Sequence, residues 1–285
     1  MNRNLEGLTD PATVMREIVD CAGHGAEEVR TRWAREAASI GWNVNQDVSR
    51  YGVTPHVHDA AMDRLYREGD GFIFETLQYW LSPSRQQWSQ RGLARLQRHC
   101  RSLGIAPGEL RLLMLGDGSA SDTLLLLGHG FRPHYYDVPG SVTSAFSRAR
   151  FAARGVAGDV QVIDDFERLK GAGYQALWCF DVIEHLPDMP QAIHDMATML
   201  GDGGIALITE SCRHVRPDLP THLEINRQYD GRVPALFQAA GLSLQQFTAG
   251  TDYRPCEYRK DAAPSLAARL RSAVLGLAVA RGWWR

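Results

Sequence analysis

Between residues 174 and 188 the chain reads YQALWCFDVIEHLPD. This apolar run stops at Asp181, Glu184 and His185 before Pro187 and Asp188 break it. A buried strand ending on two acids and an imidazole puts proton-handling and cation-binding groups at the lip of a sheet. His185 titrates in the useful range and is the best single general base of the segment. Glu184 stands beside it. Acids in such places also orient loops or cap the next helix, a plainer role that the pattern leaves open. Downstream, THLEIN carries His222 and Glu224; if extended, alternate residues face one way and both reach the same pocket. A loop whose acids pair with surface arginines is the competing expectation.

LLMLGDGSASD holds a second chemical signal. A Gly-x-Gly turn between strand and helix, at Gly116 and Gly118, lets a ligand approach the backbone. The helix N-terminus beyond it offers unpaired N–H groups to an anion. Ser119 and Asp122 are positioned to cap that helix. Asp137 ends the following strand, where a carboxylate accepts both ribose hydroxyls of a nucleoside cofactor; the other role for it is a surface Asp in the turn DVPG. Asp164 and Asp165 follow the third strand. An acid there takes an adenine amino group while Phe166 or Leu169 covers the ring, unless the acids only cap DFERLK.

The elements that must carry these residues change character near residue 108. Before it, apolar residues recur at helical spacing. PATVMREIVDCAGHGAEEVRTRWAREAASIG predicts helix with Pro11 at its first position, and GWNVNQDVSRYGVTP reads as a loop. A further helix is expected from Thr54-Pro55 through Arg67, another over GFIFETLQYWL, and a last one after Ser82-Pro83 that ends at Gly104. After it, ELRLLMLG, FRPHYYDV, VQVID, ALWCFD and GGIALITE are short apolar strands separated by helices. That alternation predicts parallel βαβ units in an open, doubly wound α/β sheet. Ligands bind such sheets at the strands' carboxyl ends, which gathers Gly116, Asp137, Asp164, Asp181 and Glu210 along one edge. QYDGRVPALFQAAG, LSLQQF and a return strand near TDYRPCEYR close the domain. LAARLRSAVLGLAVARGWWR is a final helix that packs on its own domain or a partner copy, or touches a membrane surface through its arginines and tryptophans.

Composition narrows the function classes. The 285 residues carry a net charge of −2, with 44% apolar and 22% charged residues, so no basic field for generic nucleic-acid binding exists. The five cysteines show no CxxC spacing, which argues against a zinc ribbon or a disulfide framework and for a reducing, cytoplasmic setting. The N-terminus has no signal-peptide h-region, and no apolar stretch is long enough to span a bilayer.

LMLGDGSAS, YYDV, VIDDF, and FDVIEHLPD followed by LGDGGIALITE, in this order, resemble class I S-adenosylmethionine-dependent methyltransferases over roughly residues 108–250. The resemblance implies a Rossmann-like seven-stranded, mostly parallel sheet with helices on both faces. It implies S-adenosylmethionine on the strand ends, held by Gly116, Asp117, Gly118, Ser119, Asp137, Val138, Asp164, Asp165, Phe166 and Asp181. Residues 1–107 become a helical lid over the substrate, 108–258 the cofactor domain, and 259–285 an amphipathic helix. Two departures stand out: Met114 where the superfamily usually has an acid, and Ala120 at the third glycine. Asp117 is the residue placed to replace the missing acid.

Asp181, Glu184 and His185 form D-x-x-E-H, similar to the E-x-x-E-H metal motif of ubiquinone-biosynthesis and small-RNA O-methyltransferases. By that likeness a Mg²⁺ or Mn²⁺ would sit on Asp181, Glu184 and His185, with His222 or His214 adding a ligand. Methyltransferase-domain proteins of bacterial glycan and natural-product assembly are the most similar relatives, which implies O-methylation of a sugar or other small hydroxyl acceptor. N- or C-methylation of a natural-product intermediate, and a cofactor-binding scaffold or cyclase without methyl transfer, are the alternatives.

Overall fold

The short apolar runs form strands β1 (Leu112–Leu115), β2 (His134–Tyr136), β3 (Gln161–Val162), β4 (Tyr174–Phe180), β5 (Leu200–Thr209), β6 (Leu242–Gln246) and β7 (Cys256–Lys260). The structure is a computed structural model that describes residues 6–247, 254–261 and 266–281. The seven strands make one sheet in the order β3-β2-β1-β4-β5-β7-β6. Neighbours pair in parallel except at β7, which runs antiparallel to β5 and β6. This is the expected α/β architecture, with helices on both faces.

Alternation along the strands divides the core in two. Leu113, Leu115, Leu177, Cys179, Ala206 and Ile208 face one side, covered by α9 (Met189–Met199), α10 (Val233–Ala239) and α11 (Leu266–Ala280). Leu112, Met114, Ala176, Trp178, Phe180 and Leu207 face the other, covered by α6 (Pro83–Leu103), α7 (Ser121–Gly128) and α8 (Val142–Ala153). The last of the N-terminal helices is thus part of the sheet's own cover. Ser82 caps its start, accepting from Arg85 N–H, and Gly104 ends it in the left-handed region.

The preceding helices are α1 (Pro11–Ala22), α2 (Ala26–Ala38), α3 (Trp42–Tyr51), α4 (Ala60–Glu68) and α5 (Gly71–Trp80). The helical stretch expected from Pro11 breaks at Gly23, whose φ of 74° ends α1. GWNVNQDVSRY, expected as a loop, is helix α3. Its loop-forming residues are used in tertiary contacts instead. Asn43 donates to the buried Glu36 carboxylate at 2.7 Å, and Asp47 accepts Gly71 N–H at 2.8 Å. Val44 and Val48, one turn apart, are buried. The helix expected to start at Thr54-Pro55 starts at Ala60, capped by Asp59. The residues before it dock elsewhere: His56 N–H donates to the Pro220 carbonyl at 2.8 Å, and Glu224 N–H to the His56 carbonyl at 3.1 Å.

A buried polar knot fixes α6 to the sheet. Arg85 pairs with Asp122 of α7, and Asp122 also accepts from Ser89 Oγ at 2.6 Å and Trp178 Nε1 at 3.1 Å. Gly92 lies flat on the same indole: a Cβ there would come within 2.3 Å of Trp178 Cη2. The Trp178 ring, 1% exposed, has no room to yield. Gly92→Ala is therefore expected to destabilise the fold by about 1–3 kcal/mol, read as a lower denaturation midpoint. An unchanged midpoint would show that α6 can lift off the sheet at no cost.

Candidate active site

The turn after β1 is built for close approach. Gly116 has φ 74°, and a Cβ on it would lie 2.7 Å from Val182 Cγ2. Gly118 N–H donates to Asp137 Oδ2 at 2.7 Å, and its carbonyl accepts from Tyr135 Oη at 2.7 Å. Asp137 Oδ1 accepts Val138 N–H at 2.7 Å. The glycine turn and the end of β2 are thus one hydrogen-bonded unit, and burial pushes the Asp137 carboxyl above the usual carboxylate range.

A cavity of about 840 Å³ opens against this unit, walled by Gly116, Gly118, Tyr136, Asp137, Val138 and Phe166. Phe166 packs at 5.5 Å on Tyr136. An acid beside apolar and aromatic surface suits a nucleoside. Asp117, Ser119, Asp164 and Asp165 do not border the cavity. Asp117 caps α7 through Thr123 N–H and Oγ1, at 2.7 and 2.6 Å, and is pushed up to about 7 by burial and then by Asp122. Ser119 is buried with its carbonyl on Arg150. Asp164 pairs with Arg148 at the surface, and Asp165 caps the short turn Phe166–Leu169. Met114 is fully buried on the α6 side of the sheet. Asp122, offered as a cap, belongs instead to the knot with Arg85.

The end of β4 forms the second wall. Asp181 borders the cavity in a left-handed conformation, φ 57°, which Thr209 holds: its hydroxyl meets both Asp181 N–H and Oδ1 at 2.9 Å. Arg85 Nε lies 3.5 Å from Asp181 Oδ2. Glu184, 1% exposed, has no hydrogen bond on either carboxyl oxygen. Burial, then Asp181 and Glu210, drive its pKa well above the carboxylate range. Its backbone carbonyl accepts Leu223 N–H at 3.2 Å and Asn226 Nδ2 at 3.0 Å, which pins the segment carrying His222 against it.

His185 Nδ1 lies 3.0 Å from the Thr221 carbonyl. A carbonyl only accepts, so Nδ1 carries the proton and Nε2 keeps its lone pair. Burial lowers the pKa of His185 and, with His185 adding to it, takes His222 down to about 3, so both rings are neutral at pH 7. His222 Nδ1 has no hydrogen-bond partner. One ligand atom each from Glu184, His185 and His222 lies within 4.8 Å of the others. Asp181 and His214 border the cavity outside that triangle, and Glu210 is turned onto Cys212 N–H at 2.9 Å. THLEIN is not extended. Glu224 begins a 3-10 turn, Glu224–Tyr229, and pairs with Arg227 at the surface, while Thr221 and His222 face the cavity.

Helices α4 and α5 roof the cavity with Tyr66, Phe72, Glu75, Thr76 and Tyr79. Of the aromatics in and after α5, Tyr79 borders the cavity, while Trp80 and Trp88 are core residues. His58 is at the rim, paired with Asp63 at 3.3 Å. Sequence reasoning missed Glu75. Its signal was present: it is the one acid in the apolar helix GFIFETLQYW. Burial, and the neighbouring Glu36 carboxylate, push it up to about 8.

A carboxyl whose folded pKa exceeds its unfolded value stabilises fully below the unfolded value and loses that stability as pH rises through the folded one. For Glu75 the window runs from 4.5 to about 8. The melting temperature of wild type should fall across this window relative to Glu75→Gln, which cannot ionise. Parallel melting curves for the two proteins would contradict the burial of an unneutralised acid here.

Comparison with known proteins follows the same lines. The sequence matches the family described as "Methyltransferase domain" over residues 90–248. No curated protein matches it. Among solved structures it is similar to an O-methyltransferase family protein from Burkholderia thailandensis, with 13% identity, TM-score 0.50, and coverage of 80% of this chain and 71% of that one. It is similar to the CMeT domain of the citrinin polyketide synthase, with 15% identity, TM-score 0.50, and coverage of 68% and 57%. It also matches the [4+2]-cyclase SpnF, with 18% identity, TM-score 0.42, and coverage of 55% and 60%. The chain spans less than two thirds of the last two. At such identities the likeness is one of fold, that of class I S-adenosylmethionine-dependent methyltransferases. Because the family match takes in more than half of its residues, the chain belongs to the methyltransferase-domain family.

Proposed function

We propose that the protein transfers a methyl group from S-adenosylmethionine to a hydroxyl of a small acceptor, a sugar being the first candidate. The observation that carries this reading is the Glu184–His185–His222 triangle, whose two imidazoles open into the cavity shared with Gly116 and Asp137. Gly116, Gly118, Asp137, Val138 and Phe166 would hold the nucleoside part of the donor. Bound there, S-adenosylmethionine supplies an electrophilic methyl group. An alcohol keeps its proton near neutral pH, so its attack needs a base or a cation beside it. An amine acceptor would lose its ammonium proton to a base but needs no cation to make it nucleophilic, so a cation-binding triangle is better matched to a hydroxyl.

The unpartnered oxygens of Glu184 and the bare Nδ1 of His222 favour a divalent cation. With two imidazoles among three donors, Mn²⁺ suits the set better than Mg²⁺. A cation held by Glu184, His185 and His222 would supply positive charge that makes an adjacent hydroxyl more acidic. A second reading has its own support. The Thr221 carbonyl fixes the neutral tautomer of His185 with Nε2 free, as a general base requires. On either reading His185 orients the acceptor, and the roof of α4 and α5 keeps water from competing for the methyl group.

Two measurements separate these. Titration with Mn²⁺ followed by electron paramagnetic resonance should show one site that is lost in His222→Ala. Methyl transfer to a panel of methyl glycosides and catechol should stop on chelation if the cation is used, and persist if His185 acts alone. His185→Ala should lower turnover by about 10²–10⁴-fold on both readings, with S-adenosylhomocysteine binding retained. Full turnover in that variant would contradict both.

A further inference from the structure

Helix α11 is apolar on two opposite sides, and only one of them is covered. On the inner side Ser272 Oγ accepts Leu244 N–H at 2.9 Å, Val279 is 6% exposed in the core, and Leu275 packs against it. On the outer side Leu270, Val274 and Leu277 are 59%, 62% and 43% exposed. They are three of the eight large apolar side chains exposed among the described residues, so the feature is a concentration and not scatter. At 3.6 residues per turn these three form one stripe, and position 281 continues it as arginine. Arg271 flanks the stripe, exposed. Apolar stripes of this kind mark binding faces.

Charge identifies the partner. From 262 to 285 the sequence contains Arg269, Arg271, Arg281 and Arg285 and no Asp, Glu or Lys. A second copy of the chain would bring like charges together around the stripe, which disfavours self-association through it. A surface both anionic and apolar beneath satisfies stripe and arginines at once. No helix among the described residues is long and apolar enough to cross a membrane, so the contact is one of lying in the interface. The expected Trp283 and Trp284 lie outside the described residues.

We propose that α11 docks the protein on anionic lipid surfaces, with Leu270, Val274 and Leu277 at the headgroup–acyl boundary and Arg271 and Arg281 reaching lipid phosphates. This does not rest on the methyltransferase reading. The test is flotation of the full chain with vesicles of phosphatidylcholine alone and of phosphatidylcholine mixed with phosphatidylglycerol, at low and high salt. Binding is expected to the anionic vesicles only, and weaker at high salt. Val274→Asp with Leu277→Asp should reduce it about tenfold or more. Arg271→Gln and Arg281→Gln should each reduce it about fivefold. All three variants are exposed-surface changes, and an unaltered melting curve verifies their folding; if the double aspartate variant melts early, the two arginine variants decide. Equal binding to neutral vesicles, or binding to neither, overturns the proposal. So does a concentration-dependent dimer without lipid that the aspartates dissolve, which would make the stripe an interface between copies.

Discussion

The buried guanidinium of Arg85 is the interaction on which the remainder of the molecule hangs. It is 8% exposed and lies between two carboxylates, Asp122 at the start of α7 and Asp181 at the end of β4. Burial alone would lower its pKa, but the two acids overcompensate and hold it charged. Removing one partner of such a set strands the others without water, a cost of several kcal/mol in buried pairs of this kind. Through this one side chain, the helical N-terminal region, the helix behind the glycine turn and the acidic lip of β4 form a single unit. That coupling explains how a roof built from α4 and α5 keeps its register over the cavity: α5 runs into α6, and α6 is anchored by Arg85 and by Gly92 on Trp178.

Against that neutralised centre stand two acids left without counter-charge, Glu75 in the cavity wall and Glu184 buried behind the His185 and His222 rings. Glu184 has two bare oxygens, and Glu75 has only another carboxylate near it. In water-poor surroundings both rest in the protonated form. The adjacent imidazoles are neutral for the same reason, since burial disfavours the charged state of either kind of group. The lip of β4 is therefore a set of donors without charge until a cation or a substrate proton arrives. That is the electrostatic condition expected of a site that binds a metal or moves a proton. It separates Glu184, bare on both oxygens, from Asp181, whose Oδ1 takes the Thr209 hydroxyl and whose Oδ2, without a hydrogen bond, still has the Arg85 charge 3.5 Å away.

How far this was legible in the sequence depends on how local the cause was. The strands, their order of appearance and the glycine turn followed from short apolar runs and punctuation, which are local. The D-V-x-E-H ending marked the right strand end, but His222 was recoverable only as one of several candidates, because Glu210, Cys212, His214 and Glu224 in the same loop carry chemistry too. Helix α3 was misread because Asn43 and Asp47 look like loop formers until Glu36 and the Gly71 N–H are seen to engage them. The start of α4 moved because Pro55 and His56 belong to a loop docked on residues 220–224. Asp117 points to α7 and not to the cavity because Thr123 offers two donors, which no spacing rule reveals. Arg85 reads as one more surface arginine in SRQQWSQR, and its burial follows only from where α6 lands.

The central claim is that a methyl donor binds across the strand ends with its ribose on Asp137. Calorimetric titration with S-adenosylhomocysteine tests it most directly, on wild type and on Asp137→Asn, which keeps one acceptor for the glycine turn. Saturable binding to wild type, weakened about tenfold or more by Asp137→Asn, is the predicted result. Absence of binding heat in the wild type, or equal affinity in the two proteins, would contradict it.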